Sequence, residues 1–355
     1  MKRLYKYDGI DFFRMIAALL AVAAHTYPLS SVSEDLNYLL IHVFARIVVP
    51  FFMMATGYFL LPRYFGKVCQ ENRPPDINRE PLYHSIKKIG LIYLGATLLY
   101  LPASIYAGFY SGGDVLSIFI RNLAFDGTFY HLWYLPAVIL GLLIVYALSL
   151  KFSLRLTFGI TVVLYLLGLL GDNYFGITAD IPLLGTAYEN VFNIFSYTRN
   201  GLFYAPVFLT MGTLIAKMKR PLPVRTNTTG FITFMLLMMV EGSVLKHFEI
   251  PRHTSMYIML LPCIFFLFGL LRNHEGRRSL FMRDTSLWIY ILHPLVIIAV
   301  RGGARMIGFT NLFVGNNFIF FVIVSGVSLI CAILIGKREK IASTVTTTVR
   351  GFLRA

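Results

Sequence analysis

Apolar residues in this chain gather into blocks on the order of 20 residues, separated by short polar breaks; that is the length an α-helix needs to cross a bilayer. The blocks lie at about 10–28, 36–62, 88–108, 132–150, 156–172, 201–217, 229–246, 254–271, 285–304 and 317–336. The pattern predicts an all-α, polytopic integral membrane protein with about ten transmembrane helices. Lysine and arginine test that count. With the N-terminus in the cytoplasm, 24 of them fall in cytoplasmic segments and six, Arg121, Arg199, Lys246, Arg252, Arg301 and Arg305, in outer ones. Basic residues are retained on the cytoplasmic side, so both termini are expected there, with an even number of crossings.

Composition narrows the class further. Of 355 residues, 57% are apolar and 14% charged, with a mean hydropathy of +0.69; an ordinary soluble domain carries about 25% charged residues. A soluble enzyme is excluded. The net charge of +15 would suit nucleic acid if it formed one basic face, but the basic residues sit between apolar blocks, so the expected partner is the lipid bilayer and no nucleic acid. Cys69, Cys263 and Cys331 are odd in number and lack C-x-x-C or His-paired spacing, so neither a disulfide framework nor a metal site is expected.

Lys2, Arg3 and Lys6 ahead of Ile16–Ala24 also fit a cleaved signal peptide, but Asp8, Asp11 and Arg14 interrupt the approach and favour a retained helix. The longest cytoplasmic loop, 63–88, contains Pro74-Pro75 and is too short for a domain. The longest outer loop, 173–200, mixes apolar residues with Asp180 and Glu189 and is read as folding back over the pore mouth. One transmembrane domain, 1–340, is therefore expected. Residues 341–355 follow it as a cytoplasmic tail or a linker to a further C-terminal domain.

Ionisable residues inside the apolar blocks carry the chemistry. A charge at a helix centre costs about 2.5–3.5 kcal/mol on the insertion scale, so each one asks for a role. In the first block Asp11, Arg14, Ala18, Ala21 and His25 are spaced 3, 4, 3 and 4 and share one helical stripe. Arg14 and His25 lie roughly 16 Å apart along the axis, with alanines between them that leave room for something slender. The structural alternative is a snorkelling Arg14 paired with Asp11 above an alanine packing stripe. The second block holds His42 and Arg46 one turn apart, then Pro50, which removes a backbone hydrogen bond and predicts a kink. Further polar residues are His131, Trp133 and Tyr134, which an aromatic belt also explains, then Glu241, and Tyr290 and His293 before Pro294. Trp133, Tyr134 and Glu241 are candidates for the lining of a polar pore. A histidine with no adjacent Ser or Cys nucleophile suits general-base work on a hydroxyl. Walker, G-x-G-x-x-G, G-x-S-x-G and H-E-x-x-H motifs are absent.

Gly9-Ile-Asp-Phe-Phe-Arg14 with His25 eleven positions on resembles the first-helix signature of acyltransferase family 3. These are multi-pass membrane proteins that transfer acyl groups from acyl-CoA to carbohydrates and other envelope acceptors, and the resemblance implies a place in the bacterial plasma membrane. Arg46 to Phe52 with Thr56-Gly57-Tyr58 is similar to the second signature, with Ala-Thr where Ser often precedes the Gly. His131 to Tyr134 and Tyr290 to Pro294 resemble looser later landmarks. The resemblance implies catalysis by His25, Arg14 and Asp11, with His25 as general base. It implies that Arg14, Arg46, Tyr58, Tyr290 and His293 bind acetyl-CoA or another acyl-CoA, the donor substrate. The acceptor would be a hydroxyl compound.

The same start, with Val49-Pro-Phe-Phe-Met-Met-Ala-Thr-Gly-Tyr-Phe59, also resembles the membrane half of the vancomycin-resistance serine racemases. There, a cytoplasmic racemase domain that uses pyridoxal phosphate follows the membrane half, which is thought to supply L-serine. No pyridoxal-binding segment is present in this chain, so racemisation is not expected of it alone. Acyl transfer and L-serine supply to an attached racemase domain both stand as readings.

Overall fold

The structure, a computed structural model, describes residues 8–65, 79–109, 114–274, 276 and 279–352. Lys2, Arg3, Lys6, Cys69, Pro74-Pro75, Arg277 and Arg278 lie outside the described residues. Ten helices of ten residues or more match the expected blocks: α1 (Asp8–Thr26), α2 (Val48–Leu60), α3 (Glu80–Tyr106), α4 (Tyr134–Ser149), α5 (Leu154–Leu170), α6 (Ala205–Lys217), α7 (Val224–His247), α8 (Leu260–Asn273), α9 (Leu280–Met306) and α10 (Asn317–Phe352). The described residues contain no strand. Six spans are long and apolar enough to cross a membrane: Gly9–Thr26, Glu34–Tyr64, Glu80–Tyr106, Val224–His247, Leu280–Met306 and Asn317–Lys337. The helices α4, α5, α6 and α8 are apolar but shorter, at 13 to 17 residues.

Local sequence sets several of the ends. Ser153 and Ser279 are extended residues whose hydroxyls accept from the N–H of Leu156 and Met282, capping α5 and α9. Pro81 and Pro206 sit in the first turn of α3 and α6, where no intrahelical partner for an N–H exists. Pro50 occupies the same kind of position in α2. The departure from α geometry falls upstream of it, at Leu39–Val43, a π-helical turn, and Phe44–Ile47, a 3₁₀ turn. What interrupts the second block is a nine-residue irregular segment, Leu39–Ile47, that carries His42 and Arg46.

The chain divides into two compact units, Met1–Val48 with Leu271–Ala355, and Val49–Leu270. In the first, α1 packs against α9 and α10, and α9 against α10. The seam is apolar, built on Ala18, Val22, Ile289, Val296, Ile297, Phe320, Val324 and Ala332. Polar ties close it. The Ser279 N–H donates to Asp11 Oδ2 at 3.0 Å, and Asn317 Nδ2 donates to Ser30 Oγ. Gly9 lets α1 approach closely, since a Cβ there would lie 2.5 Å from the Leu271 carbonyl oxygen.

In the second unit α6 packs against α4 and α5, and α3 against α4. The α2–α6 contact is set by two glycines in reciprocal positions. A Cβ on Gly57 would come 2.0 Å from the Leu209 carbonyl oxygen, and one on Gly212 would come 2.1 Å from that of Met54. Leu91, Leu94 and Leu98 on α3, and Leu236, Val240 and Val244 on α7, form exposed rows at helical spacing, the face a helix turns to lipid. The 173–200 segment folds back as two short helices, Phe175–Ala179 and Pro182–Ile194. It is held to α5 by Thr178 Oγ1 donating to Leu170 O and Tyr188 Oη to Leu167 O, at 2.9 and 2.6 Å.

Candidate functional site

The polar stripe of α1 begins at Asp11. Its carboxylate accepts from the Ser279 backbone at 3.0 Å and pairs with Arg14 Nε at 3.5 Å. Asp11 thus joins the start of α9 to α1 and orients Arg14 from one turn away. It lies about 21 Å along the helix from His25, which gives it a positioning geometry rather than contact with anything His25 touches. Ala18 is fully buried in the seam with α9 and α10, as the packing alternative has it, whereas Arg14, Ala21 and His25 are half-buried. At 100° per residue these three lie within about 40° of one another, and Ala18 sits on the flank turned into the seam.

His25, in the last turn of α1, stacks on His293 of α9. The ring centroids are 5.3 Å apart and the planes 23° from parallel. His293 is fully buried, and its Nδ1 lies 3.0 Å from the Ile289 carbonyl oxygen. A carbonyl can only accept, so Nδ1 carries the proton and donates, as an imidazole anchored one turn back on its own helix. Pro294, which follows, is buried within α9. Tyr290 is on the same helix, with its ring centroid 6.5 Å from that of His293. These contacts make one imidazole, His25, half-exposed beside a second that is locked.

The irregular 39–47 segment packs on α1 and carries a second row. Arg46 Nη2 lies 3.2 Å from His42 Nδ1, and His42 stacks on Tyr38 at 5.2 Å and 23°. Arginine has no acceptor, so His42 Nδ1 accepts. Arg46, half-buried, is held through a stacked aromatic column. The first unit thus contains six expected site residues: Asp11, Arg14, His25, Arg46, Tyr290 and His293.

The other four lie in the second unit, in different surroundings. Tyr58 is buried in aromatic packing, 5.5 Å from Phe268 and 5.0 Å from Phe59. Tyr134 meets Phe52 edge-on at 6.3 Å. Trp133 lies under the Arg199 guanidinium at 4.8 Å and meets Tyr204 at 5.9 Å. Glu241 accepts three hydrogen bonds, from Tyr174 Oη at 2.9 Å and from the backbone of Ile258 and Met259 at 2.7 and 2.9 Å. It anchors the chain just ahead of α8. Burial, with the Glu241 carboxylate beside it, holds the Tyr174 phenol well above its ordinary value, so it stays a donor. His131 is buried among the rings of Tyr100, Phe129 and Tyr130.

Sequence reasoning missed one group here. Asp172, 1% exposed, accepts from the N–H of Ser255 and Met256 at 2.7 and 3.0 Å and faces His253 Nδ1 at 3.5 Å; that same ring nitrogen is 2.6 Å from Ser255 Oγ. Because Ser and Asp meet the same nitrogen, the three residues cannot pass a proton from one side of the ring to the other, and they form no hydrolytic triad. Some 80 residues separate the partners, so no spacing rule could have found them.

A family model described as an acyltransferase domain, that of acyltransferase family 3, matches residues 7–337. Two proteins named amino-acid racemase from Enterococcus faecalis are 38% and 37% identical over 334 and 340 residues. These alignments cover 93% and 95% of this chain and 45% and 47% of those proteins. A serine/alanine racemase of Enterococcus gallinarum is 34% identical over 348 residues, covering 97% of this chain and 48% of that protein. The chain spans about half the length of the curated relatives it matches. No solved structure matches it.

Proposed function

Because the chain belongs to acyltransferase family 3, we propose that it is a membrane acyltransferase that moves an acyl group, acetyl in the simplest case, from cytoplasmic acyl-CoA to a hydroxyl of an envelope or small-molecule acceptor. The observation that carries this reading is His25, half-exposed on the α1 stripe and stacked on the buried His293. His25 takes the proton of the acceptor hydroxyl as its oxygen attacks the thioester carbonyl. The tetrahedral intermediate collapses with loss of the C–S bond, and the CoA sulfur leaves with the proton His25 has held. Tyr290 or Arg46 supplies the donor that meets the oxyanion. Arg14, oriented by Asp11, meets an anionic part of the donor from the cytoplasmic side, and the pantetheine arm covers the Arg14–Ala21–His25 flank. The chain crosses the plasma membrane ten times with both termini in the cytoplasm.

The test is thiol release from acetyl-CoA by the purified protein, followed with candidate hydroxyl acceptors. Calorimetric acetyl-CoA binding is measured beside it. His25→Ala is expected to abolish thiol release and keep binding, and Arg14→Ala to weaken binding. A well-folded sample that neither binds acetyl-CoA nor releases thiol would end the reading.

One observation favours a second reading. The relatives are named racemases, and this chain spans only about half of each. In that reading the chain is the membrane module that supplies L-serine to an attached cytoplasmic racemase domain, without acyl transfer. Uptake of L-serine into proteoliposomes that is indifferent to acetyl-CoA would favour it.

A further inference from the structure

Arg14 and Arg46, two arginines of the same unit, are held by partners of different charge. Arg14 pairs with a carboxylate, Asp11, at 3.5 Å. Arg46 Nη2 lies 3.2 Å from His42 Nδ1. A guanidinium only donates, and an imidazolium carries hydrogen on both ring nitrogens, so this contact requires a neutral His42 with its proton on Nε2. The difference matters for charge. A carboxylate that orients a guanidinium also offsets its charge, whereas a neutral imidazole orients it and leaves the charge as it was.

The support behind His42 starts at the head of the second block. Ser33 caps the one-turn helix Glu34–Tyr38, its hydroxyl accepting from the Leu36 N–H at 3.3 Å. Asn37 is buried, and its Oδ1 accepts from the Leu29 N–H at 3.3 Å. Tyr38, next along, stacks on the His42 ring at 5.2 Å and 23°. The chain then runs through the π-helical and 3₁₀ turns of Leu39–Ile47, which pack on α1. Ile41, Val43, Ala45 and Ile47 are buried there, while Tyr38, His42 and Arg46, four residues apart, are half-buried. The apolar positions therefore anchor the segment, and the aromatic and basic ones share the less buried side. A π-helical turn within a helix is rare and recurs at functional sites.

We propose that His42 is a positioning residue of the acyl transfer: through Nδ1 it fixes the Arg46 guanidinium, charge intact, for the oxyanion of the tetrahedral intermediate, and Tyr38 fixes the His42 ring. The proposal rests on the acyltransferase reading and deepens it, since it makes Arg46 rather than Tyr290 the group that meets the oxyanion. His42 keeps its own proton throughout. The negative oxygen develops only as the acceptor attacks, so a guanidinium held in advance raises turnover and not donor affinity.

Thiol release from acetyl-CoA by the full chain in detergent is measured with the hydroxyl acceptor that gives most turnover in the unaltered protein, with calorimetric acetyl-CoA binding beside it. His42→Phe keeps a ring for Tyr38 and loses the acceptor. It is expected to lower kcat roughly tenfold to a hundredfold, with KM and Kd for acetyl-CoA unchanged. His42→Asn, whose Oδ1 stands in for Nδ1, should recover part of the loss. In an Arg46→Gln background His42→Phe should cost nothing further, because it acts through Arg46. In the ¹⁵N-histidine-labelled protein the His42 ring, identified by its loss in His42→Asn, should show a protonated Nε2 and a bare Nδ1 at neutral pH. Hydrogen on Nδ1 would overturn the proposal without any rate measurement. An unaltered kcat in His42→Phe would do the same, as would losses that add in the double variant. The two readings fail separately: a well-folded unaltered protein that releases no thiol ends the acyltransferase reading and this one with it, whereas normal release in His42→Phe ends this one alone.

Discussion

Arg14 and His25 share a face of α1, yet their supports differ, and so do the consequences of changing them. Arg14 is oriented by Asp11 from its own helix, whereas His25 depends on the His293 ring from α9. An aromatic stack is worth about 0.5–1.5 kcal/mol beyond its area, so His293→Leu is expected to lower the thiol-release rate roughly twofold to tenfold. Acetyl-CoA binding should stay unchanged, and His293→Phe, which restores a ring, should recover part of the loss. Unaltered rates in both the Leu and Phe variants would remove His293 from the mechanism. Local spacing made half of this legible in advance. The Asp11–Arg14 pair and the His42–Arg46 pair follow from i, i+3 and i, i+4 positions on helical turns. The His25–His293 stack joins residues 268 apart, and no periodicity within one helix reports which histidine of another will face it. Arg199 was legible only as a basic residue of an expected outer loop, because its contact with the Trp133 ring joins residues 66 apart.

Among the elements, α2 and α6 approach through backbone rather than side chains. Gly57→Ala would set a methyl 2.0 Å from the Leu209 carbonyl, which is backbone and cannot turn aside. An overpacked seam typically costs about 1–3 kcal/mol, so this substitution, and likewise Gly212→Ala, should lower the midpoint of thermal unfolding in detergent. Gly159 of α5 has nothing within 4 Å of its would-be Cβ, and Gly159→Ala should leave the midpoint unchanged or raise it. The same pattern in all three variants would show that helix propensity, not the seam, is being read. At the head of α8, Tyr174→Phe removes one of the three donors to Glu241 and is expected to cost about 1.5–3 kcal/mol, the range for hydrogen bonds to charged groups. A change inside about 0.5 kcal/mol would mean that the two backbone N–H groups suffice. The hydrophobic pattern identified all ten helices, because a bilayer demands continuous apolar runs. It could not give the partners of Glu241, which come from segments 67 and about 17 residues away, nor place the irregular turn upstream of Pro50, where tertiary packing sets the backbone.

For the whole molecule, the question left by helix length is which of the ten helices cross. At 1.5 Å per residue, α4, α5, α6 and α8 rise only about 20–26 Å, short of the roughly 30 Å of a hydrocarbon core, unless the turns at their ends also lie within the membrane. If only the six long spans cross, α7 follows α3 directly. The α6–α7 junction, with Lys217 ending α6, Lys219 and Arg220 between the helices and Arg225 in the first turn of α7, then faces outward. If all ten cross, it faces the cytoplasm. Both arrangements leave the termini on the same side, so labelling the ends cannot tell them apart, but residue 219 can. The distribution of basic residues favours ten crossings, because six would move this cluster, with Lys151 and Arg155, to the outer face against the bias that orients membrane proteins. Lys219 is exposed. In a background with Cys69, Cys263 and Cys331 replaced by Ser, Lys219→Cys is expected to resist a membrane-impermeant maleimide on intact cells and to react once they are opened. Glu189→Cys, exposed between α5 and α6, should react from outside in either case and serves as the control for access. Labelling of Cys at 219 on intact cells, alongside that control, would reduce the bundle to six crossings and leave α4, α5 and α6 on the outer face of the membrane and α8 on the cytoplasmic one.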